Sequence, residues 1–172
     1  MSDQEPYRAL FLCTENSARS IMAESLLNYW AGGAFRAYSA GTHPKGTINL
    51  VALNLLRHMN LPTESLRSKS WDEFTTPDAP VLDFVFTVCD RAAGETCPVW
   101  PGDPLSAHWG VPDPALVTGS DAERWAAFRD VFHELESHIK VFTSLPHASL
   151  DRMRLQQHLE DIGRAPRRLQ PA

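Results

Sequence analysis

Cysteine is scarce in this chain, with three residues in 172. So small and odd a number builds no disulfide framework of the kind small secreted domains need; it suits thiols kept reduced for chemistry. Long apolar runs are lacking too. No stretch reaches the ~20 residues of a membrane-spanning helix, and the first residues show no secretory signal pattern, so a cytoplasmic protein with no membrane contact is expected. Basic residues are outnumbered, 16 Lys and Arg against 21 Asp and Glu, for a net charge of −5. With no basic cluster to override that balance, nucleic acid is excluded as a partner. An anionic ligand would have to be drawn by local amides and arginines, not by the field of the whole protein. Apolar residues are plentiful: 43% hydrophobic content supports one core in a chain of this length, and no internal repeat divides it.

The chemistry concentrates in Cys13-Thr14-Glu15-Asn16-Ser17-Ala18-Arg19-Ser20. The apolar run Ala9-Leu10-Phe11-Leu12 precedes it and an amphipathic stretch begins at Ser20, so it reads as a strand, a tight loop and a helix start. Such a loop turns successive N–H groups toward one point, to which the helix N-terminus adds partial positive charge. A tetrahedral oxyanion is then held by residues 14–20, with the planar fork of Arg19 as its charged partner. The same field favours the thiolate of Cys13, its nucleophilic form, and Ser20 is placed to donate a further hydrogen bond to it. Asn16 suits the bend, because its short amide bonds to backbone and tolerates left-handed conformations. Cysteine, five residues and arginine make a weak motif alone; the bland alternative is a buried strand-end thiol and a surface arginine. Position between a strand and a helix selects the chemical reading.

In chain order, residues 7–12 read as the first strand. Residues 20–30 read as a helix with Ile21, Met22, Leu26, Tyr29 and Trp30 on one face, stopped by Gly32-Gly33. A second strand is expected over residues 35–39. A helix capped by Thr47 should run to Met59, ended by Asn60-Leu61-Pro62. A short helix is expected over residues 71–74, a doubly buried strand over 83–88, and a fourth short strand over 98–100. A Pro- and Gly-rich loop follows to Gly119. Ser120 with Glu123 forms a capping box for a helix to Phe142, and Ser149 caps a last helix that ends at Gly163. The tail, 164–172, is rich in Pro and Arg and reads as disordered. Strands alternating with helices imply a parallel α/β sheet whose ligand sits at the carboxyl ends of the strands.

Cys89 and Cys97, eight positions apart, bracket a polar, glycine-containing segment at the end of a strand. The spacing is too long for a redox Cys-x-x-Cys turn, and zinc ligation with Cys13 would leave the fourth ligand open. Exchange among three thiols requires loop motion, since a disulfide needs Cα atoms within about 7 Å. Two Asp-Pro pairs, Asp103-Pro104 and Asp113-Pro114, are candidates for an acid or for simple turns. His133 and His138 are five apart, not four, so they share no helical face for zinc and are expected in solvent.

The loop at Cys13 resembles that of the low-molecular-weight protein tyrosine phosphatase superfamily. Thr87-Val88-Cys89-Asp90 through Cys97-Pro98, with His108-Trp109-Gly110 and Asp113-Pro114, resembles its thiol-dependent arsenate reductases, the likeness covering residues 7–143. The cysteine separation is one residue longer than in the best-known members. The resemblance implies a three-layer domain, residues 1–145, with a central parallel four-stranded sheet and helices on both faces, then a C-terminal helical extension, residues 146–163. In that extension Met153, Leu155, Leu159 and Ile162 are expected to pack inward. It implies Cys13 as nucleophile on arsenate, Arg19 as its anchor, Asp113 as the acid, and a relay through Cys89 and Cys97. Phosphate or sulfate would act as an analogue, and no bound cofactor is implied. Thioredoxin, or glutathione with glutaredoxin, would be the external reductant of a monomeric enzyme. Positions matching Asn16, Glu24 and Ser39 bind potassium in some relatives; Lys69, standing at another such position, is expected to pair with Glu24 in the ion's place. The same parts without the cysteine pair would serve a phosphomonoesterase, and without an acid an oxyanion-binding or redox-sensing module.

Overall fold

The apolar run at residues 9–12 becomes an inner strand of a parallel sheet, because both of its faces are covered. The structure, a computed structural model, describes residues 5–95, 98 and 100–164. Four strands, β1 (Tyr7–Cys13), β2 (Phe35–Gly41), β3 (Phe84–Thr87) and β4 (Leu105–His108), lie in the order β2-β1-β3-β4, all parallel. Alternation along β1 divides the core. Ala9, Phe11 and Cys13 join the large cluster formed with the helices, while Leu10 and Leu12 join a smaller one with Phe74, Leu82 and Val85. Helices α1 (Arg19–Trp30), α2 (Leu50–His58), α4 (Asp121–Ser144) and α5 (Arg152–Arg164) contribute to the first cluster; a 3₁₀ turn, Trp71–Phe74, covers the second. The capping box of α4 is present at Ser120 and Glu123. Among the described residues no helix is long and apolar enough to cross a membrane.

Several expectations need correction. Helix α1 is buried all round from Ser20 through Leu27, while Tyr29 and Trp30 are exposed; packing between the sheet, α2 and α4 overrides the simple amphipathic face. Asn49, not Thr47, caps α2, its Oδ1 accepting from the amides of Val51 and Ala52. The fourth strand is β4, not residues 98–100. Its four residues sit among turn-forming Gly102, Pro104 and Gly110, which hide them in the sequence. Pro98 and Trp100 are in no strand, and Val99 lies outside the described residues, as does nearly all of the tail at 164–172. Trp100 instead meets Trp71 edge-on at 6.3 Å over the second face.

Helix α5 begins at Arg152, with the Asp151 carboxylate accepting from the Arg154 amide, so Ser149 is not its cap. Gly163 does not stop it. A Cβ there would stand 2.2 Å from the His108 carbonyl oxygen, so the glycine is needed for helix and strand to touch. Leu155, Leu159 and Ile162 are buried as expected, but Met153 is exposed.

His133 is half-exposed beside Glu136, whereas His138 is buried, edge-on to Trp109. Five residues turn a helix through about 140°, which sends the two to opposite faces. Burial holds the His138 imidazole below its ordinary value. It does the same to His147, against the opposing bond to the Phe142 carbonyl. The unfolded chain therefore takes up these protons first. Stability is full above about pH 6.5 and falls as the pH drops through that point. Urea midpoints at pH 8 and pH 5 will show the decline, and His138→Leu will flatten it.

Candidate active site

Strand β1 carries Cys13 to the carboxyl edge of the sheet, and α1 starts at Arg19. Between them Asn16 adopts φ 49°, the left-handed conformation its short amide tolerates. The loop carbonyls are taken from outside: Cys13 O accepts from the Thr42 amide, Thr14 O from His43, Glu15 O from Lys45 and Ser17 O from Asn49. The amide of Thr14 lies on the Cys13 side and favours the ionised form of that thiol. Among the described residues none of the amides from Glu15 to Arg19 finds a protein acceptor. Five unpaired donors at the start of a twelve-residue helix make the anion cradle the sequence implies.

Asn16 braces this loop from below. Its Oδ1 accepts from the Lys69 amide at 2.9 Å and its Nδ2 donates to Ser20 Oγ at 2.8 Å. Ser20 Oγ is the acceptor in that bond, which leaves its own O–H free to donate; Cys89, Arg19 and Thr14 also act on the Cys13 thiol. Beneath Asn16 the Lys69 ammonium lies 3.7 Å from Glu24, whose Oε1 accepts from Ser39 Oγ at 2.7 Å. Burial pushes the Glu24 carboxyl up and the Lys69 ammonium down, each partly offset by the other. Removing one member strands a buried charge. Lys69→Met will therefore destabilise the protein by about 3–5 kcal/mol, and adding Glu24→Gln will recover most of the loss, as chemical denaturation will show.

Cys89 stands beside Cys13, close enough for each thiol to act on the other's ionisation. Cys89 heads a helical turn, α3 (Asp90–Ala93), its sulfur accepting from the Ala92 amide at 3.4 Å and meeting Thr14 Oγ1 at 3.5 Å. In this ligand-free arrangement Cys89 acts on the Cys13 thiol besides Arg19 and the helix start. Interaction with Cys89 and burial raise the Cys13 thiol, against Arg19, while interaction with Cys13 brings Cys89 down to about 5. Two thiols this close titrate as a coupled pair. Cys89 is already next to Cys13 in this conformation; the loop motion expected for exchange among all three thiols involves Cys97, which lies outside the described residues.

Arg19 Nη1 donates to the Val111 carbonyl at 3.1 Å, and Nη2 lies 3.5 Å from Asp113. Asp113 also accepts from the Ala115 amide at 2.9 Å. The competing Asp103 is exposed and pairs with Arg152 on α5, so geometry separates the two Asp-Pro motifs. Cys97 lies outside the described residues. Contacts invisible to sequence reading hold the segment after Cys89 in place: Asp90 bonds to His108, and Glu95 accepts from Thr42 Oγ1 at 3.0 Å. These partners are 18 and 53 positions apart, and no local pattern announces them. Among the described residues no group of three or more His, Cys, Asp and Glu is arranged for a metal ion.

A four-stranded parallel sheet with a cysteine–arginine anion loop at its carboxyl edge defines a phosphatase-type α/β domain. Residues 8–156 match the low molecular weight phosphotyrosine protein phosphatase family, and the chain belongs to that family. Within it, the chain is 37% identical over 132 residues to an arsenate reductase of Halalkalibacterium halodurans and 35% identical to one of Bacillus subtilis, in each case over 77% of this chain and 91% of the relative. Among solved structures, the arsenate reductase of Archaeoglobus fulgidus superposes with a TM-score of 0.63 at 28% identity, covering 80% of this chain and 99% of that one. The thioredoxin-dependent arsenate reductase of Corynebacterium glutamicum shares the fold, with a TM-score of 0.58 at 24% identity over 81% of this chain; the match spans 61% of that protein.

Proposed function

We propose that this chain reduces arsenate to arsenite by a thiol relay beginning at Cys13. The observation that carries the reading is the Cys13–Cys89 thiol pair beside a cradle of unpaired amides and Arg19. A phosphatase needs only the first of those thiols. Arsenate lies in the cradle with Arg19 on its oxygens. The Cys13 thiolate displaces one oxygen, which leaves as water with a proton from Asp113. Cys89 attacks the Cys13 sulfur, and the S–As electron pair returns to arsenic. Arsenic passes from As(V) to As(III) and leaves as arsenite, while two thiols become one disulfide. Cys97 then takes over the disulfide from Cys13, and an external dithiol returns the two electrons. Thioredoxin is the favoured donor, in line with the Corynebacterium glutamicum relative's name; glutathione with glutaredoxin is the alternative. Lys69 beside Glu24 supports turnover that needs no added potassium.

The test is disulfide mapping. Reduced protein is incubated with arsenate, or with phosphate as control, then alkylated, digested and analysed by mass spectrometry. A Cys89–Cys97 bridge that forms only with arsenate supports the relay. Three free thiols together with hydrolysis of an aryl phosphate would replace it with a phosphomonoesterase. Arg19 and Asp113, 3.5 Å apart at the cradle, are the parts shared with that reading, so weak phosphatase activity is expected in either case.

A further inference from the structure

The His108 imidazole has both nitrogens engaged, on the two sides of Cys89. Its Nδ1 meets Thr87 Oγ1 at 2.7 Å, and its Nε2 meets Asp90 Oδ1 at 2.8 Å. Thr87 and His108 are register partners at the ends of β3 and β4. Thr87 precedes Cys89 by two residues and Asp90 follows it directly. One ring therefore bridges the backbone on either side of the second thiol.

Two glycines fit this arrangement. A Cβ on Gly110 would stand 2.6 Å from His108 Nε2 and 3.0 Å from Asp90 Oδ1, so only a residue without a side chain leaves room for the bond. On the backbone side, Gly163 of α5 lies against the His108 carbonyl, which fixes the base from which the ring projects. The Trp109 and Val111 amides donate to the Thr87 and Val88 carbonyls at 2.7 and 3.1 Å. The strand end that carries His108 is thus rigidly joined to the strand end that carries Cys89. Left to itself, a four-residue helical turn such as α3 has little intrinsic stability, so its hold on Cys89 depends on such outside contacts.

We propose that His108 is a positioning residue that, through Asp90 and Thr87, holds the Cys89 thiol against Cys13 for formation of their disulfide. The proposal rests on the relay reading for its role in turnover. It concerns the closeness of two thiols, which can be measured without arsenate.

The experiment uses the full chain with Cys97→Ser, so that the first disulfide is the end point. Formation of the Cys13–Cys89 bond is followed by quenched alkylation and mass spectrometry, once with arsenate and once with diamide, a general two-electron thiol oxidant. His108→Ala and Asp90→Ala should each slow the bond about fivefold to tenfold in both arms, the population change that follows loss of one or two hydrogen bonds. Protection of Cys13 from alkylation by inorganic phosphate should stay unchanged, because the cradle is intact. Asp90→Asn keeps the acceptor oxygen and should react within about twofold of the parent. Gly110→Ala, which crowds the same bond, should be slow. Parent rates in His108→Ala and Asp90→Ala, failure of Asp90→Asn to restore the rate, or an equal loss of phosphate protection would each overturn the proposal. A parent that forms the bond with diamide but not with arsenate would instead count against the relay, and the diamide rates would still decide the role of His108.

Discussion

Cys89→Ser will end arsenate turnover, with a loss of at least about a thousandfold, the scale seen when a nucleophile is removed. Phosphate binding at the loop will stay within about twofold. The reason is a division of labour. In the proposed mechanism the unpaired amides of residues 15–19 and Arg19 hold the anion without help from Cys89, whereas the attack on Cys13 that returns an electron pair to arsenic needs the second sulfur. Serine fits the space and can still accept from the Ala92 amide, so the fold is preserved. The substitution also replaces the sulfur whose interaction is the largest influence raising the Cys13 thiol by a shorter-reaching hydroxyl. Cys13 in the variant will therefore ionise more readily than in the parent, shown by its alkylation rate against pH. Stoichiometric arsenite release without Cys89 would refute the mechanism.

The second large effect is on stability. Trp109→Ala will cost about 3–5 kcal/mol, the range for emptying the site of a fully buried large aromatic. Trp109 is completely buried and stacks on Phe86 with centroids 3.8 Å apart. It meets Phe142 and His138 of α4 edge-on, and its Nε1 donates to the Leu159 carbonyl of α5 at 2.9 Å. One side chain thus joins the sheet to two helices. Truncation leaves a cavity and removes the indole bond that ties α5 to the sheet, so the urea midpoint will fall and hydrogen exchange will rise first in α5. Trp109→Phe, which keeps most of the volume and loses the indole N–H, will cost less. A midpoint unchanged in Trp109→Ala would mean that α5 is not held through this residue.

Legibility followed the range of the interactions. The anion loop was readable because strand, loop and helix start are contiguous, and because Asn16 and Arg19 act within a few residues of Cys13. The capping box of α4 was readable for the same reason. β4 was missed because four residues with a single fully buried side chain, Leu105, carry too little periodicity to stand out among prolines and glycines. His138 was misplaced in solvent because charge and spacing describe its helix, while the opposing Trp109 comes from another part of the chain. That Cys13 and Cys89 meet was implied only by the resemblance, since 76 positions separate them.

By itself the sequence determined the fold class and marked Cys13, Arg19 and Cys89 as candidates, since each of these readings rests on residue type and local order. Only the tertiary structure put Asp113 beside Arg19 and Asp103 beside Arg152, brought Cys89 next to Cys13 and set His108 across its flanks. The parallel sheet places the ends of β1, β3 and β4 side by side at one edge, and neighbours made by that register are separated along the chain by distances no local pattern spans.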